Sequence, residues 1–406
     1  MAVALETPKH ILPIAGVKLA AGYCGIRSAD ADDLVLFEIA EGSQVVASFT
    51  RNAFCAAPVL VAQDNLSQSD ARYLLINAGN ANAGTGVKGL QAARQCCEWV
   101  AQQMGVAAHS VLPFSTGVIG EYLPVEKIAA ALPSLNAGLK EDNWLAAARG
   151  IMTTDTVAKG CSEQLVLECG TTVTVSGISK GAGMICPDMA TMLAYIATDA
   201  AVEPDCLQTM LTEAVAKSFN SISVDGDTST NDACVLMATA KADNPPMRIA
   251  SANAHRLQKT LNSVMQKLAQ AIVRDAEGAT KFVSIDVQQA RDVAECKQLA
   301  YSVAHSPLVK TALFASDPNW GRILAAIGRA GLHELDLQQV SFSLNGVSIV
   351  KQGERDPAYT EEAGAAAMGA EDIALCIQLG RGAAQHTVWT CDLSYDYVKI
   401  NAEYRT

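Results

Sequence analysis

The clearest periodicity in the chain lies in residues 254–275, where Leu257, Leu261, Val264, Met265, Leu268 and Ile272 recur every three or four positions. That spacing predicts an amphipathic helix with one apolar stripe facing a core, closed after Glu277 by Gly278 as a C-cap. A second helix is predicted over residues 205–220, where Leu207, Met210, Leu211, Ala214, Val215 and Phe219 follow Pro204. The period drops to two at Val283, Ile285 and Val287, so a strand follows the first helix within a few residues. Val340, Phe342 and Leu344 alternate up to Asn345-Gly346, and Val347 and Ile349 resume beyond it, which is the pattern of a two-residue type I′ hairpin. Extended segments are also expected at 34–50, 165–178 and 387–400. Helices mixed with antiparallel strands predict an α/β or α+β sandwich rather than an all-parallel sheet. The hairpin and helices beyond residue 283 predict a second, smaller domain, so the expected division is 1–282 and 283–406.

Composition narrows the class. The chain has 406 residues, 50% of them hydrophobic and 5% aromatic, enough for two or three packed domains with cores built mainly from Ala, Val, Leu and Ile. Its 30 basic against 42 acidic residues give a net charge of −12, which excludes a generally nucleic-acid-binding surface. No run of about 18 apolar residues occurs. Glu6, Pro8, Lys9 and Pro13 interrupt the stretch where a secretion signal needs continuous apolar residues, so a cytoplasmic protein away from membranes is expected. The twelve cysteines are scattered through a chain too long to need staples, and reduced thiols are expected. With no Cys-x-x-Cys pair and no histidines four residues apart, neither a metal nor a cofactor is expected.

Candidate chemistry concentrates in four stretches rich in small and polar residues: Asn77-Ala-Gly-Asn-Ala-Asn-Ala-Gly84, Pro113-Phe-Ser-Thr-Gly-Val-Ile-Gly120, Lys180-Gly-Ala-Gly-Met-Ile-Cys-Pro-Asp-Met-Ala-Thr191 and Ser223-Val-Asp-Gly-Asp-Thr-Ser-Thr-Asn-Asp232. Each alone also reads as an ordinary turn, but four in one chain predict a site where backbone amides approach a ligand closely. Asp225-Gly-Asp227-Thr228 resembles the strand-end aspartate pair of magnesium-dependent phosphatases, without that class's other motifs. Gly84-Thr-Gly86-Val-Lys-Gly89 matches a dinucleotide loop formally, yet no acidic residue stands about twenty positions downstream to hold a ribose. Gly177-Ile-Ser179-Lys-Gly181 matches a serine elbow, but Gly183 and Pro187 forbid the helix that must follow. All six histidines lie outside the four stretches, so a hydroxyl nucleophile would need another base. A threonine freed to use its own α-amine supplies one. In Ala190-Thr191 the Thr191 hydroxyl can attack the Ala190 carbonyl and give an ester that water opens. The amine released has an ordinary pKa of about 7.7–8.0. The same threonine before an apolar run also reads as a helix N-cap. Left open at this point are a self-processed threonine enzyme, such as an amidase or aminopeptidase that passes the acyl group to water, and the phosphatase.

The ordered motifs resemble a known family, the glutamate N-acetyltransferases, or ornithine acetyltransferases, of arginine biosynthesis. The likeness runs through Thr50-Arg-Asn52, Ala56-Ala-Pro-Val59, the stretches at 77–84 and 113–120, Met152-Thr-Thr-Asp-Thr156, Lys180-Gly-Ala-Gly-Met184 with Met189-Ala-Thr-Met-Leu193, the stretch at 220–232, Glu277-Gly-Ala-Thr-Lys281, Asp317-Pro-Asn-Trp-Gly-Arg322 and Asn401-Ala-Glu-Tyr-Arg-Thr406. It implies a layered αββα-type sandwich with a smaller C-terminal α/β domain, in a precursor that cuts itself at Ala190-Thr191. An α chain of 1–190 and a β chain of 191–406 would assemble as α2β2. Thr191 would take acetyl from N2-acetyl-L-ornithine and pass it to L-glutamate in a ping-pong cycle, with acetyl-CoA a co-substrate in bifunctional members.

Carried over residue by residue, the resemblance makes Thr191 the nucleophile and Thr116 and Gly117 the oxyanion hole, and it gives Thr154, Lys180, Thr191, Glu277, Asn401 and Thr406 to substrate binding. Cys186 and Asp188 depart from the family's usual residues without touching the Ala190-Thr191 bond. A ligand at the last residue implies a tail that folds back over the pocket, since termini otherwise fray. Deleting Tyr404, Arg405 and Thr406 should therefore raise KM severalfold or abolish transfer while the thermal unfolding midpoint stays put; steady-state kinetics beside a melting curve checks this.

Overall fold

The structure, a computed structural model, describes residues 2–27, 31–186 and 192–403. Ala190, Thr191 and Thr406 lie outside the described residues. The chain packs as two compact units, one of Thr7–Asn220 with Asp227–Ile272, the other of Met1–Glu6, Ser221–Gly226 and Val273–Thr406. The sequence reading drew one line between residues 282 and 283. The C-terminal unit instead begins at Val273 and also takes in the short segments 1–6 and 221–226, boundaries that no change of composition marks.

The first unit holds two sheets. Strands β1 (Val17–Gly22), β2 (Leu34–Ile39), β4 (Tyr73–Asn80) and β5 (Val111–Val118) form one in that order; β3 (Gln44–Phe49), β9 (Ala233–Ala238), β8 (Leu193–Thr198), β7 (Thr172–Lys180) and β6 (Lys159–Val166) form the other. The expected extended segment at 34–50 is two strands, broken at Glu41-Gly42 so that the chain leaves one sheet for the other. Gly42 supplies the positive φ of 81° that this turn requires. Val35, Phe37, Leu74, Ile76, Leu112 and Phe114 of the first sheet bury against Ile178, Tyr195, Val235 and Met237 of the second. Although aromatics are scarce, three meet in this layer: Tyr195 lies 5.2 Å from Phe37 and 5.4 Å from Phe114 between ring centroids.

Helices α1 (Ala57–Gln68), α2 (Gly86–Met104), α3 (Val125–Ala137), α4 (Trp144–Gly150), α5 (Pro204–Ala216) and α6 (Ala252–Arg274) belong to the same unit. Cys97 and Val100 of α2 and Ile128 and Leu132 of α3 cover Leu34, Leu36, Leu75 and Val111 on the outer face of the first sheet. On the second sheet, α5 packs against β3 and β9, and Leu268 of α6 lies 3.0 Å from where a Cβ on Gly177 of β7 would stand. The layers are therefore α, β, β, α. α6 carries the predicted stripe, with Leu257, Leu261, Val264, Met265, Leu268 and Ile272 all buried. α5 stops at Ala216, short of the predicted residue 220.

The second unit is built on one sheet ordered β13 (Glu354–Arg355), β12 (Val347–Lys351), β11 (Ser341–Leu344), β14 (Asp372–Gln378), β10 (Phe282–Ala290) and β15 (Ala384–Cys391). The predicted hairpin joins β11 to β12, with Asn345 and Gly346 at φ 45° and 79°. Helices α7 (Val293–Ala304), α8 (Pro307–Phe314), α9 (Trp320–Gly328) and α10 (Glu361–Gly369) accompany it. Val303, Val309, Ile323 and Met368 from them share one core with Val283, Ile285 and Phe342 of the sheet. Asp292 caps α7 through the Glu295 N–H while the Glu295 carboxylate accepts the Arg291 N–H, a reciprocal start to the helix.

The segment 387–400 is not extended throughout. β15 ends at Cys391, and Ser394 then accepts the Tyr397 N–H and opens α11 (Tyr395–Ala402). Gly278 serves this junction rather than closing α6: a Cβ there would sit 2.5 Å from the Tyr397 nitrogen. No helix among the described residues is long and apolar enough to cross a membrane, and no disulfide joins any of the twelve cysteines. Ser394→Ala removes both the cap and the 2.6 Å bond that the hydroxyl donates to the Gly278 carbonyl. It should destabilise the protein by about 1 kcal/mol, read as a lowered midpoint in urea.

Candidate active site

Within the sandwich unit, described residues of the four small-residue stretches meet at the ends of β4, β5, β7 and β9. Ser115 Oγ donates to Asn77 Oδ1 at 2.6 Å, and Asn231 Nδ2 donates to the carbonyls of Ala81 (2.6 Å) and Ser115 (2.9 Å). These bonds tie the end of β9 in one sheet to the ends of β4 and β5 in the other. Lys180, the last residue of β7, completes the bridge by donating to Thr116 Oγ1 at 2.8 Å. Lys180 is 3% exposed and Thr116 5%. An ammonium so deeply buried is a site residue by energetic necessity, since it must be met by charge or hydrogen bonds.

Gly117 follows Thr116 at φ 133°, and a Cβ on it would stand 2.2 Å from the Gly79 carbonyl carbon and 2.6 Å from the Asn80 nitrogen. The parallel ladder of β4 and β5 is irregular here, with Asn80 opposite both Thr116 and Val118. Only a residue without a side chain lets the two strands approach so closely, and the kink turns the end of β5 out of the regular ladder.

Two carboxyl groups frame Lys180. Asp155 accepts from Lys159 Nζ at 2.6 Å, from the Gly181 N–H at 2.8 Å and from the Thr153 N–H at 3.0 Å. Burial alone would raise this carboxyl, but the Lys159 and Lys180 ammonium groups and the Gly181 N–H outweigh it and hold it well below the usual carboxylate range. Asp155 thereby locks the turn carrying half-buried Thr154 onto the residue after Lys180. Asp232, just before β9, accepts the Met192 N–H at 2.8 Å. Burial pushes Asp232 well above the usual range, and the Met192 N–H and the Lys180 charge offset this only in part.

In the other unit, the helix that Ser394 opens brings exposed Asn401 to Glu277, its Nδ2 donating to Glu277 Oε2 at 2.8 Å. The expected residues thus fall into two linked sets, Thr116 with Lys180 and Glu277 with Asn401, each within its own unit. The competing motifs have local explanations. Asp225 accepts the Tyr397 hydroxyl at 3.2 Å, and among the described residues no group of three His, Cys, Asp or Glu side chains could hold a metal. A Cβ on Gly89 would collide with Thr85 Oγ1 at 1.9 Å, so that glycine makes room for the turn in which Thr85 bonds Asn82. Ser179 is buried inside β7 rather than raised on an elbow.

A model of the ArgJ family matches residues 18–406. The chain belongs to the ArgJ family. It is 55% identical over 407 residues, all of both chains, to the arginine biosynthesis bifunctional protein ArgJ of Pseudomonas syringae pv. tomato. It is also 55% identical to that of Methylococcus capsulatus, over 98% of this chain and 97% of the relative. The crystal structure of the arginine biosynthesis bifunctional protein ArgJ from Bacillus halodurans is similar at 36% identity and TM-score 0.48, over 50% of this chain and 95% of that one. ArgJ membership makes the chain an acyltransferase of arginine biosynthesis.

Neither framing carboxyl was singled out from sequence. Asp155 had a signal, because Lys159 stands four residues on and forms an ion pair with neither side chain exposed. Asp232 had none, since its contact arises from the parallel register that sets Leu193 beside Ala233. Removing one partner of a buried pair leaves the other charge unanswered, so Asp155→Asn should cost about 3–5 kcal/mol at neutral pH. Because the folded Asp155 carboxyl is depressed, its contribution is present above about pH 4 and fades as the pH falls toward the folded value. Urea unfolding across that range should show the gap between wild type and variant narrowing in acid.

Proposed function

We propose that this chain cuts itself between Ala190 and Thr191 and that Thr191 Oγ then carries acetyl from N2-acetyl-L-ornithine to L-glutamate. The observation that carries the reading is the bond from Lys180 Nζ to Thr116 Oγ1, beside a strand whose first residue, Leu193, pairs with Lys180. Because Lys180 supplies the proton in that bond, Thr116 accepts it and keeps its own hydroxyl proton to give. The Thr116 O–H and the Gly117 N–H are the two donors of an oxyanion hole.

The cycle follows from these roles. The Thr191 amine takes the Oγ proton as Oγ attacks the acetyl carbonyl, and Thr116 and Gly117 meet the oxyanion that forms. The amine returns the proton to the departing nitrogen of ornithine. Glutamate's amine then attacks the acetyl-threonine ester, and N-acetyl-L-glutamate leaves with Thr191 restored. Lys180 and Thr154 suit the substrate carboxylate, and Glu277 suits the side-chain ammonium of ornithine with Asn401 holding its carboxylate in place; Thr406 completes the set. We extend the reading to acetyl-CoA as a second donor, in keeping with the word bifunctional in the relatives' name, and to an α2β2 assembly in the cytoplasm.

A denaturing gel with intact-mass measurement tests the first step. Wild type should give fragments 1–190 and 191–406, and Thr191→Ala one uncut band without activity. An uncut, active wild type would sink the reading. Acetylornithine should release ornithine steadily only when glutamate is present; steady release into water alone would make the enzyme an amidase. Glutamate with acetyl-CoA alone should give N-acetylglutamate.

A further inference from the structure

Lys159 has no part in the cycle above, yet it is as deeply buried as Lys180. It is 2% exposed, and its Nζ donates to Asp155 Oδ1 at 2.6 Å and to the Val157 carbonyl at 3.3 Å. Neither side chain of the Lys159–Asp155 pair reaches solvent. Taking two opposite charges out of water costs much of what their attraction returns, and apolar residues of the same volume often stabilise a fold as well or better. Stability alone therefore does not account for a lysine at this position.

Asp155 connects Lys159 to the site. Its Oδ1 also accepts the Gly181 N–H at 2.8 Å, and its Oδ2 accepts the Thr153 N–H at 3.0 Å. The carboxylate therefore sits beside the residue that follows Lys180 and the one that precedes Thr154. In the ladder of β6 and β7, Lys159 stands opposite Ser179, the neighbour of Lys180 in sequence. Burial opposes the charge of Asp155, but the ammonium groups of Lys159 and then of Lys180 hold the carboxyl well below the usual range. Two lysines thus draw on one carboxylate. Lys159 engages it in a direct ion pair, whereas the bond from Lys180 Nζ to the other sheet goes to the neutral hydroxyl of Thr116.

We infer that Lys159 is a positioning residue that sets the substrate affinity of Lys180: by pairing with Asp155 it keeps that carboxylate from neutralising Lys180, which then attracts the carboxylate that acetylornithine and glutamate share. The inference rests on the reading of Lys180 as a ligand of the substrate carboxylate. Coulomb attraction between groups a few ångströms apart is strong where water is excluded. With the Lys159 charge removed, Asp155 would compete with the incoming carboxylate for the same ammonium. The effect falls on binding, in the ground state and the transition state alike, so it shows in KM rather than in kcat. The chemical class selected is an α-carboxylate, and a substrate without one has nothing to lose.

Lys159→Met nearly keeps the length of the side chain and removes its charge. KM for acetylornithine and for glutamate should rise about tenfold while kcat changes less than about threefold. Adding Asp155→Asn removes the competing carboxylate, leaves an oxygen for the Gly181 N–H, and should bring KM back to within about threefold of wild type. A donor without the carboxylate, N-acetyl-1,4-diaminobutane, should be used equally well by Lys159→Met and wild type. A KM rise below about threefold in Lys159→Met, an equal loss on both donors, or a double variant as impaired as the single overturns the inference. Should Lys159→Met fail to fold or to be cut, the double variant, in which neither member of the pair is left as a lone charge, decides alone. Its KM for acetylornithine within about threefold of wild type supports the inference, and a larger rise, or failure to fold or be cut, overturns it. Lys180→Met tests the reading beneath: if it loses no more on acetylornithine than on the diamine donor, Lys180 does not hold the substrate carboxylate and that reading fails. If Lys180→Met does lose more and Lys159→Met matches wild type, only Lys159 loses its role.

Discussion

A lysine ammonium sealed between two sheets must be answered from within the protein, and much of the site's architecture is that answer. Lys180 ends a strand of one sheet and bonds a hydroxyl at the end of a strand in the other. Removing a charge from water costs several kcal/mol unless partners compensate. Asp155 supplies countercharge from the same sheet's surroundings, and Thr116 supplies the oxygen. The residues that give Lys180 a tolerable environment are those that set the geometry of the expected chemistry.

The two carboxyl groups are equally buried but electrically opposite. Asp155 has an ammonium at 2.6 Å and two N–H donors, so its charged form is the stable one. Asp232 has the Met192 N–H and the Ser229 hydroxyl but no ammonium in contact, and these offset its burial only in part. One group acts as a fixed negative anchor and the other as a store for a proton, and the distinction comes from the hydrogen bonds rather than from depth.

Much of the fold was legible because it rests on periodicity. The stripe of α6 and the Asn345-Gly346 hairpin stand where the spacing of apolar residues puts them. The tail was misread as extended because Val388, Cys391 and Val398 hide the polar Ser394, whose hydroxyl turns the chain into a helix. The site was legible in part. Stretches of small residues pointed to the sheet ends where Asn77, Ser115, Lys180 and Asn231 meet, and the resemblance named Thr116, Gly117 and Lys180. Asp232 escaped because its meaning depends on which strand lies beside β8, and strand order leaves no mark in a single sequence. The place of residues 1–6 and 221–226 in the C-terminal unit escaped for the same reason.

The antiparallel register that puts Lys180 opposite Leu193 runs on to Val175 opposite Thr198. The segment joining β7 to β8 therefore spans neighbours that are already stitched together along their length. A break anywhere in it releases no strand, because the backbone bonds of the sheet and the apolar layer beneath remain. Covalent continuity is dispensable at that one place, and two polypeptides would share a single sheet as fully as one chain does. The fold can lose a peptide bond between these two strands and keep both of them in place.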